Sequence, residues 1–226
     1  ADRLRVPFVR DAADDDPDAQ ATADRRPAAL IATADPSRPD QRVAVTLPDT
    51  RLHARELTVD LVPAAATPAA ATTKPPAAGD DLGGLAVSRL RARGDVAVRL
   101  DAGAAELTAH ALDADPDRKR LELFGRDGVP AVLDRRGARL QGAHLILREA
   151  EQAAEALGPG QFSAPTDPAD PDATLRVAWT QSMTFENRTG HARFVGGVVS
   201  ESDAQESRTR LSAHELSIDF VPQNLD

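Results

Sequence analysis

The chain of 226 residues contains no cysteine and no tyrosine, and aromatic residues make up only 3% of it. Without cysteine there is no disulfide framework and no thiolate chemistry at a metal or redox site. With so few aromatic rings, the chain offers little surface on which sugars or bases could stack. These absences exclude a disulfide scaffold and disfavour recognition by stacking.

Long apolar runs and clustered basic charge are missing as well. No run of 18 or more apolar residues occurs, so we expect no transmembrane helix. The formal net charge is -9, and the basic residues are scattered along the chain. Because binding to a phosphate backbone needs a concentrated basic surface, the composition predicts no nucleic-acid partner.

Motifs that carry catalysis or bind metals are absent too. The sequence has no Gly-x-Ser-x-Gly, no P-loop and no Gly-x-Gly-x-x-Gly, and no pair of histidines has metal-ligand spacing. We therefore expect no catalytic residue, no metal and no cofactor. The hydrophobic content of 41% is sufficient for a real core in one elongated domain or two small ones.

One sequence pattern recurs along the chain. Thr50–Pro63 reads TRLHARELTVDLVP, and Thr209–Pro222 reads TRLSAHELSIDFVP. Two weaker copies are Leu107-x-Ala109-x-x-Leu112-x-Ala114 and Leu140-x-Gly142-x-x-Leu145-x-Leu147. In each copy the apolar residues alternate, then skip one position, then alternate in the opposite phase. This pattern predicts a strand, a bulge or sharp bend, and a second strand, with both halves facing one interior.

The position directly after the small residue at this bend carries Arg55, His110 or His214 in three of the copies. Long polar side chains at equivalent places indicate a position that faces solvent. We therefore assign neither histidine a catalytic or metal-binding role.

Other segments extend the strand pattern. The residues from 94 to 100 alternate after a glycine, and an Asn-Arg-Thr-Gly turn at 187–190 separates two further alternating runs and predicts a hairpin. Residues 145–157 (LILREAEQAAEAL) have helical propensity, but their place in the repeat favours a strand and a turn.

These observations predict an all-β fold. Strands follow one another through short turns without long amphipathic helices, so the sheets should be antiparallel. Irregular spacing between the copies disfavours a propeller or a strict solenoid and favours a twisted two-sheet β-roll, jelly-roll-like, built from repeated strand–bend–strand units. We divide the chain into residues 1–40, with leading strands and an acidic flexible loop, and residues 41–226, the roll, with a disordered insert at 64–81.

The chain also resembles a known family. Residues 94–113 (GDVAVRLDAGAAELTAHALD), followed by residues 121–162 with the Gly-Val-Pro-Ala element at 128–131, are similar to the OstA-like repeat. That repeat occurs in the periplasmic lipopolysaccharide-transport proteins LptA and LptC and in the N-terminal domain of LptD. Residues 177–222 match less closely, and the first 63 residues are linked only by their internal similarity to the last segment.

The resemblance implies a non-enzymatic protein of the periplasm or cell envelope. It further implies a twisted open β-roll that holds the acyl chains of lipopolysaccharide or another lipid, and whose free edges pair with other OstA-like domains. The candidate lining is the apolar set that the repeats turn inward: Leu107, Leu112, Leu140, Leu145, Leu147, Trp179, Met183, Phe185, Phe194, Leu211, Leu216, Ile218 and Phe220. The alternative is a structural scaffold in which the same residues fill an ordinary core.

Overall fold

The computed structural model describes residues 3–5, 8–9, 26–27, 29–38, 41–47, 49–63, 85–100, 104–167, 170–204 and 207–220. In these residues the chain forms seventeen β-strands and no helix. The strands are β1 (Arg3–Arg5), β2 (Phe8–Val9), β3 (Arg26–Pro27), β4 (Ala29–Thr33), β5 (Val43–Leu47), β6 (Thr50–Ala54), β7 (Glu56–Pro63), β8 (Leu85–Leu100), β9 (Ala105–Asp115), β10 (Arg120–Phe124), β11 (Ala131–Arg135), β12 (Ala138–Arg148), β13 (Ala153–Asp167), β14 (Asp170–Trp179), β15 (Ser182–Glu186), β16 (His191–Ala204) and β17 (Ser207–Asp219).

Fifteen of these strands form one antiparallel sheet, and β2 and β3 pair with each other separately. The main path runs β1-β4-β7-β8-β9-β10-β12-β13-β14-β16-β15. β6 joins it beside β8 and carries β5; β11 lies between β9 and β12, and β17 pairs with β16. Since most sheet neighbours are also close in sequence, the sheet is a succession of hairpins. The described part of the chain contains no helix that could span a membrane.

The long strands bend where their pairing register shifts. The shifts fall between Arg93 and Val96 in β8, between Gly142 and His144 in β12, and between Val195 and Val198 in β16. Gly196 lies at a φ of 84°, a backbone conformation that side-chain-bearing residues rarely adopt. A glycine at this point therefore allows the strand to turn without breaking.

The bends lie side by side and form one continuous line across the sheet. The Thr180 amide donates to the Gly196 carbonyl at 2.7 Å, and the Gly158 amide donates to the Gln181 carbonyl at 2.7 Å. The Arg55 amide similarly reaches the Gly94 carbonyl at 3.0 Å. We call this line the seam. Its members are Arg55, Gly94–Asp95, His110, Ala143, Gly158–Pro159, Thr180–Gln181, Gly196–Gly197 and His214.

The seam divides the sheet into two layers. The first layer contains β5, β6, β11 and β14, and the second contains β1, β4, β7, β10 and β15. The long strands β8, β9, β12, β13, β16 and β17 cross the seam and contribute one half to each layer. Buried apolar side chains of both layers form one hydrophobic cluster, so the core lies between the layers.

The all-β antiparallel two-layer fold predicted from the repeats is confirmed. Residues 145–157 form the end of β12, a turn and the start of β13, and the turn at 187–190 joins β15 to β16. Arg55, His110 and His214 are all exposed at the seam, as their repeat position predicts. The strands β1 and β4, which precede residue 41, pair within the same sheet as the rest, and the division at residue 40 stays a prediction. The insert at 64–81 and the acidic loop lie outside the described residues.

Candidate functional site

The candidate lining residues lie on the inward face of the two layers but differ in exposure. Seven are buried: Leu107, Leu112, Leu140, Leu145, Trp179, Met183 and Phe194. Five are half-buried and pack against the buried cluster: Leu147, Phe185, Leu216, Ile218 and Phe220. Leu211 is different, because 49% of it is exposed. The structure thus gathers the predicted residues into one interior that is closed in its middle.

An aromatic cluster fills the part of the interior near the C-terminus. The ring of Phe162 in the first layer lies 6.5 Å from that of Phe194 and 5.8 Å from that of Phe220, both in the second layer. Trp179 lies 5.4 Å from Phe194, and Phe185 lies 6.1 Å from Phe220, with tilted or edge-on rings. Such geometries are favourable for aromatic pairs. These rings connect the two layers directly.

The indole of Trp179 packs against a glycine, at a position where a larger residue would collide with it. Gly160 lies directly opposite Trp179 on β13, and a Cβ atom there would stand 2.4 Å from the indole ring. The indole Nε1–H donates to the Gly158 carbonyl at 3.1 Å, so its polar atom is satisfied at the seam. Trp179 is therefore a core residue that helps to fix the bend.

Smaller side chains line the interior from β6 to β9. Its buried residues there are Leu52, Ala54, Leu57, Ala92, Val96, Val98, Leu107 and Leu112. None of these carries a ring, in contrast to the cluster around Phe194. The two halves of the interior are consequently lined by different side chains, small aliphatic groups in one half and aromatic rings in the other.

At the C-terminal end of the sheet the inward face is open. Leu211 lies opposite Ser200 and Ala213 lies opposite the buried Val198, which places both β17 residues on the inward face. In the described residues β17 pairs only with β16, so no described strand lies on the other side of Leu211. Apolar surface at this end is thus accessible from solvent.

The near copy of the β17 sequence, in β6 and β7, shows which strands cover the equivalent leucine residues. Leu52 in β6 occupies the repeat position of Leu211, yet it is only 5% exposed. Its strand has a further neighbour, β5, which places Val45 directly opposite Leu52. In the same way β4 places Ala32 opposite Leu57, the counterpart of Leu216. The two copies differ because one has an outer neighbour, whereas the other has none among the described strands.

Polar side chains on the outward face attach β17 to β16. Arg193 makes two hydrogen bonds to the Glu215 carboxylate, at 2.7 and 3.0 Å. The Arg193 hydrogen bonds hold the pKa of Glu215 below its usual range, and the carboxylate raises the pKa of Arg193. His191 and Asp219 form a second cross-strand contact at 2.8 Å. The strand is therefore held on the β16 side, and no strand of the described part of the chain pairs with its other edge.

The structure also brings together residues that the sequence analysis did not connect. Arg42, Arg55 and Arg126 all approach the carboxylate of Asp95, at 3.4, 3.2 and 4.0 Å. The sequence indicates only that Arg55 faces solvent at a bend. The other two are remote from it in sequence and share no motif with it, so no local pattern could have predicted the cluster. In the described part of the chain, no group of three His, Asp or Glu side chains could hold a metal ion.

No protein-family model matches the chain, and no curated protein sequence matches it. Among solved structures, it is similar to LptH of Pseudomonas aeruginosa, described as the LptA homologous periplasmic component of a lipopolysaccharide transport device. The match covers 52% of this chain and 77% of LptH, with 10% sequence identity and a TM-score of 0.44.

Proposed function

We propose that this protein is a non-enzymatic lipid-binding module of the cell envelope, located in the periplasm, and that it holds acyl chains of lipopolysaccharide or another acylated lipid against its apolar interior. The observation that carries this proposal is the uncovered inward face of β17. There Leu211 is 49% exposed, although its repeat position is an interior one. An acyl chain can reach the interior from this end without passing through the closed middle.

Such binding can be favourable without polar contacts between lipid and protein. Each methylene removed from water contributes about 0.8 kcal/mol, so about five methylenes covering the β17 end would contribute about 4 kcal/mol. Leu216 and Ile218 are half-buried on the second-layer half of the same strand, and Phe220, directly after the strand, is half-buried as well. They supply a second apolar wall next to Leu211. The remaining lining residues contact lipid only if the two layers move apart deeper in the interior.

Lipid binding can be tested with one variant and one matched control. Leu211→Asp places a charge on the inward face of β17, whereas Val129→Asp places one in the loop between β10 and β11. The two wild-type residues are 49% and 50% exposed, so neither charge must be buried in the free protein. A charge beside an acyl chain is costly, since it loses its water without gaining a partner.

We expect Leu211→Asp to weaken binding of a fluorescent lipid A analogue at least tenfold, and Val129→Asp to leave it within twofold of wild type. Both variants should keep the wild-type circular dichroism spectrum. Equal binding by all three proteins would show that the β17 end is not the entrance. Native mass spectrometry of protein purified gently from its own envelope should in addition detect bound lipid.

A structural scaffold is the second candidate, and the aromatic cluster favours it. Phe194 is fully buried, and the ring of Phe162 in the other layer lies 6.5 Å from it, so aromatic rings pack between the layers in this part of the interior. In this function, β17 would pair with the edge strand of another OstA-like domain. Two results together would support the scaffold instead. The wild type would not bind lipid, and analytical ultracentrifugation would show that Leu211→Asp no longer associates.

A further inference from the structure

Three arginine side chains converge on one carboxylate at the N-terminal end of the seam. Asp95 lies at the bend of β8, and Arg55 occupies the neighbouring bend between β6 and β7. Arg55 contacts Oδ2 of Asp95 through both Nε and Nη2, at 3.3 and 3.2 Å. Arg42 contacts the same oxygen at 3.4 Å. Arg126, in the turn after β10, approaches the other oxygen at 4.0 Å.

The local backbone is shaped to hold this arrangement. Gly94 lies beneath the Arg55 side chain, and a Cβ atom added to it would stand 2.8 Å from the Arg55 Cβ. Asp95 itself has a φ of 49°, the left-handed conformation that aspartate tolerates better than most residues. The Arg55 amide donates to the carbonyls of Arg93 and Gly94, at 2.9 and 3.0 Å. The bend thus fixes both Arg55 and the carboxylate that orients it.

The cluster carries more positive charge than Asp95 can balance. Arg42 has other contacts as well, but even Arg55 and Arg126 alone set two guanidinium groups against one carboxylate. Arg126 stands at 4.0 Å, beyond hydrogen-bond length, so Asp95 does not use its donors. About half of the Arg55 and Arg126 side chains is exposed, at 48% and 55%. An anion from solvent can therefore reach both.

We propose that Arg55 and Arg126, with Arg42, form a binding site for a phosphate group, either inorganic phosphate or the phosphate monoester of a lipid headgroup. The planar guanidinium presents paired N–H donors that match phosphate oxygens, and such charge-assisted bonds are among the stronger hydrogen bonds in proteins. Asp95 keeps the arginines together in the absence of the anion. The site lies on the outward side of the seam and does not depend on lipid binding in the interior.

The test uses the whole chain and two probes at low ionic strength. Inorganic phosphate is titrated by calorimetry, and vesicles of phosphatidylcholine with or without phosphatidic acid are used in flotation assays. The cluster variant is Arg55→Gln with Arg126→Gln. The matched control is Arg118→Gln with Arg188→Gln, which removes the same charge from two exposed positions elsewhere.

We expect the cluster variant to bind the phosphate probe at least tenfold more weakly than wild type, and the control to stay within twofold. Binding of free phosphate alone identifies a soluble ligand, and binding only of phosphatidic acid vesicles identifies a headgroup at a membrane surface. Arg126→Gln alone removes no hydrogen bond and should fold normally, and it should weaken binding about threefold. A wild type that binds neither probe, or a control that loses as much as the cluster variant, would overturn the proposal.

Discussion

The two near copies of one sequence, residues 50–63 and 209–222, have different surroundings in the same molecule. Nine of their fourteen residues are identical, and both cross the seam at the same repeat position, Arg55 in the first copy and His214 in the second. In the first copy Leu52 is 5% exposed, and in the second Leu211 is 49% exposed. The alternating pattern fixes which way a side chain faces. Whether that side chain is buried depends on the next strand, and only the first copy has one beyond it in the described residues.

The largest expected effect comes from placing a charge at the two equivalent leucines. Leu52→Asp buries a carboxylate between β5 and β8 with no partner, which should cost several kcal/mol and leave the protein largely unfolded. Leu211→Asp leaves its charge in water and should cost less than about 1 kcal/mol. Thermal unfolding followed by circular dichroism measures both. Equal losses of stability would show that β17 is covered in solution.

An intermediate effect is expected at the end of the second copy. Phe220 stands where the first copy has Leu61, and its ring contacts Phe162 and Phe185. Because it is half-buried, Phe220→Ala should destabilise the protein by about 2 kcal/mol, below the usual cost for a fully buried phenylalanine. Urea unfolding gives this value. A change within error would mean that the aromatic contacts do not hold β17 in place.

A smaller effect is expected in hydrogen exchange. β6 and β7 have strands on both sides, whereas β17 has a partner only on the β16 side in the described residues. Amides in the second copy should therefore exchange faster than their counterparts in the first, since opening an edge strand breaks fewer contacts. Mass spectrometry of peptides from the two copies compares them within one sample. Equal protection would contradict an open edge.

The smallest effect concerns pH. The pKa of Glu215 is lowered in the folded protein by its hydrogen bonds to Arg193, so this pair stabilises β17 at neutral pH. As pH falls below the ordinary range of glutamate, the unfolded chain takes up the proton first. The contribution then declines, and it is lost once pH passes the folded pKa. Amide chemical shifts of β17 should report this loosening in wild type, and the Glu215→Gln variant should not show it.

Much of the fold is local and could be predicted from sequence. Within eight residues, such as Leu140 to Leu147, the alternation of apolar residues changes phase. This change predicts two strands and a bend without knowledge of the neighbouring strands. The coverage of Leu52 by Val45, and the approach of Phe162 to Phe220, depend on residues that are far apart in sequence or in different layers. The convergence of arginines on Asp95 is of the same kind. Such contacts follow from the order of strands in the sheet, which no local pattern records.

The succession of hairpins along the seam has a consequence for length. The long strands all cross from one layer to the other at the same line, and most strands pair with strands near them in sequence. A further strand–bend–strand unit would extend both layers by about 4.8 Å per strand without rearranging those already present. The number of repeats therefore sets the length of the molecule along the seam, and the distance spanned by the apolar interior is proportional to that number.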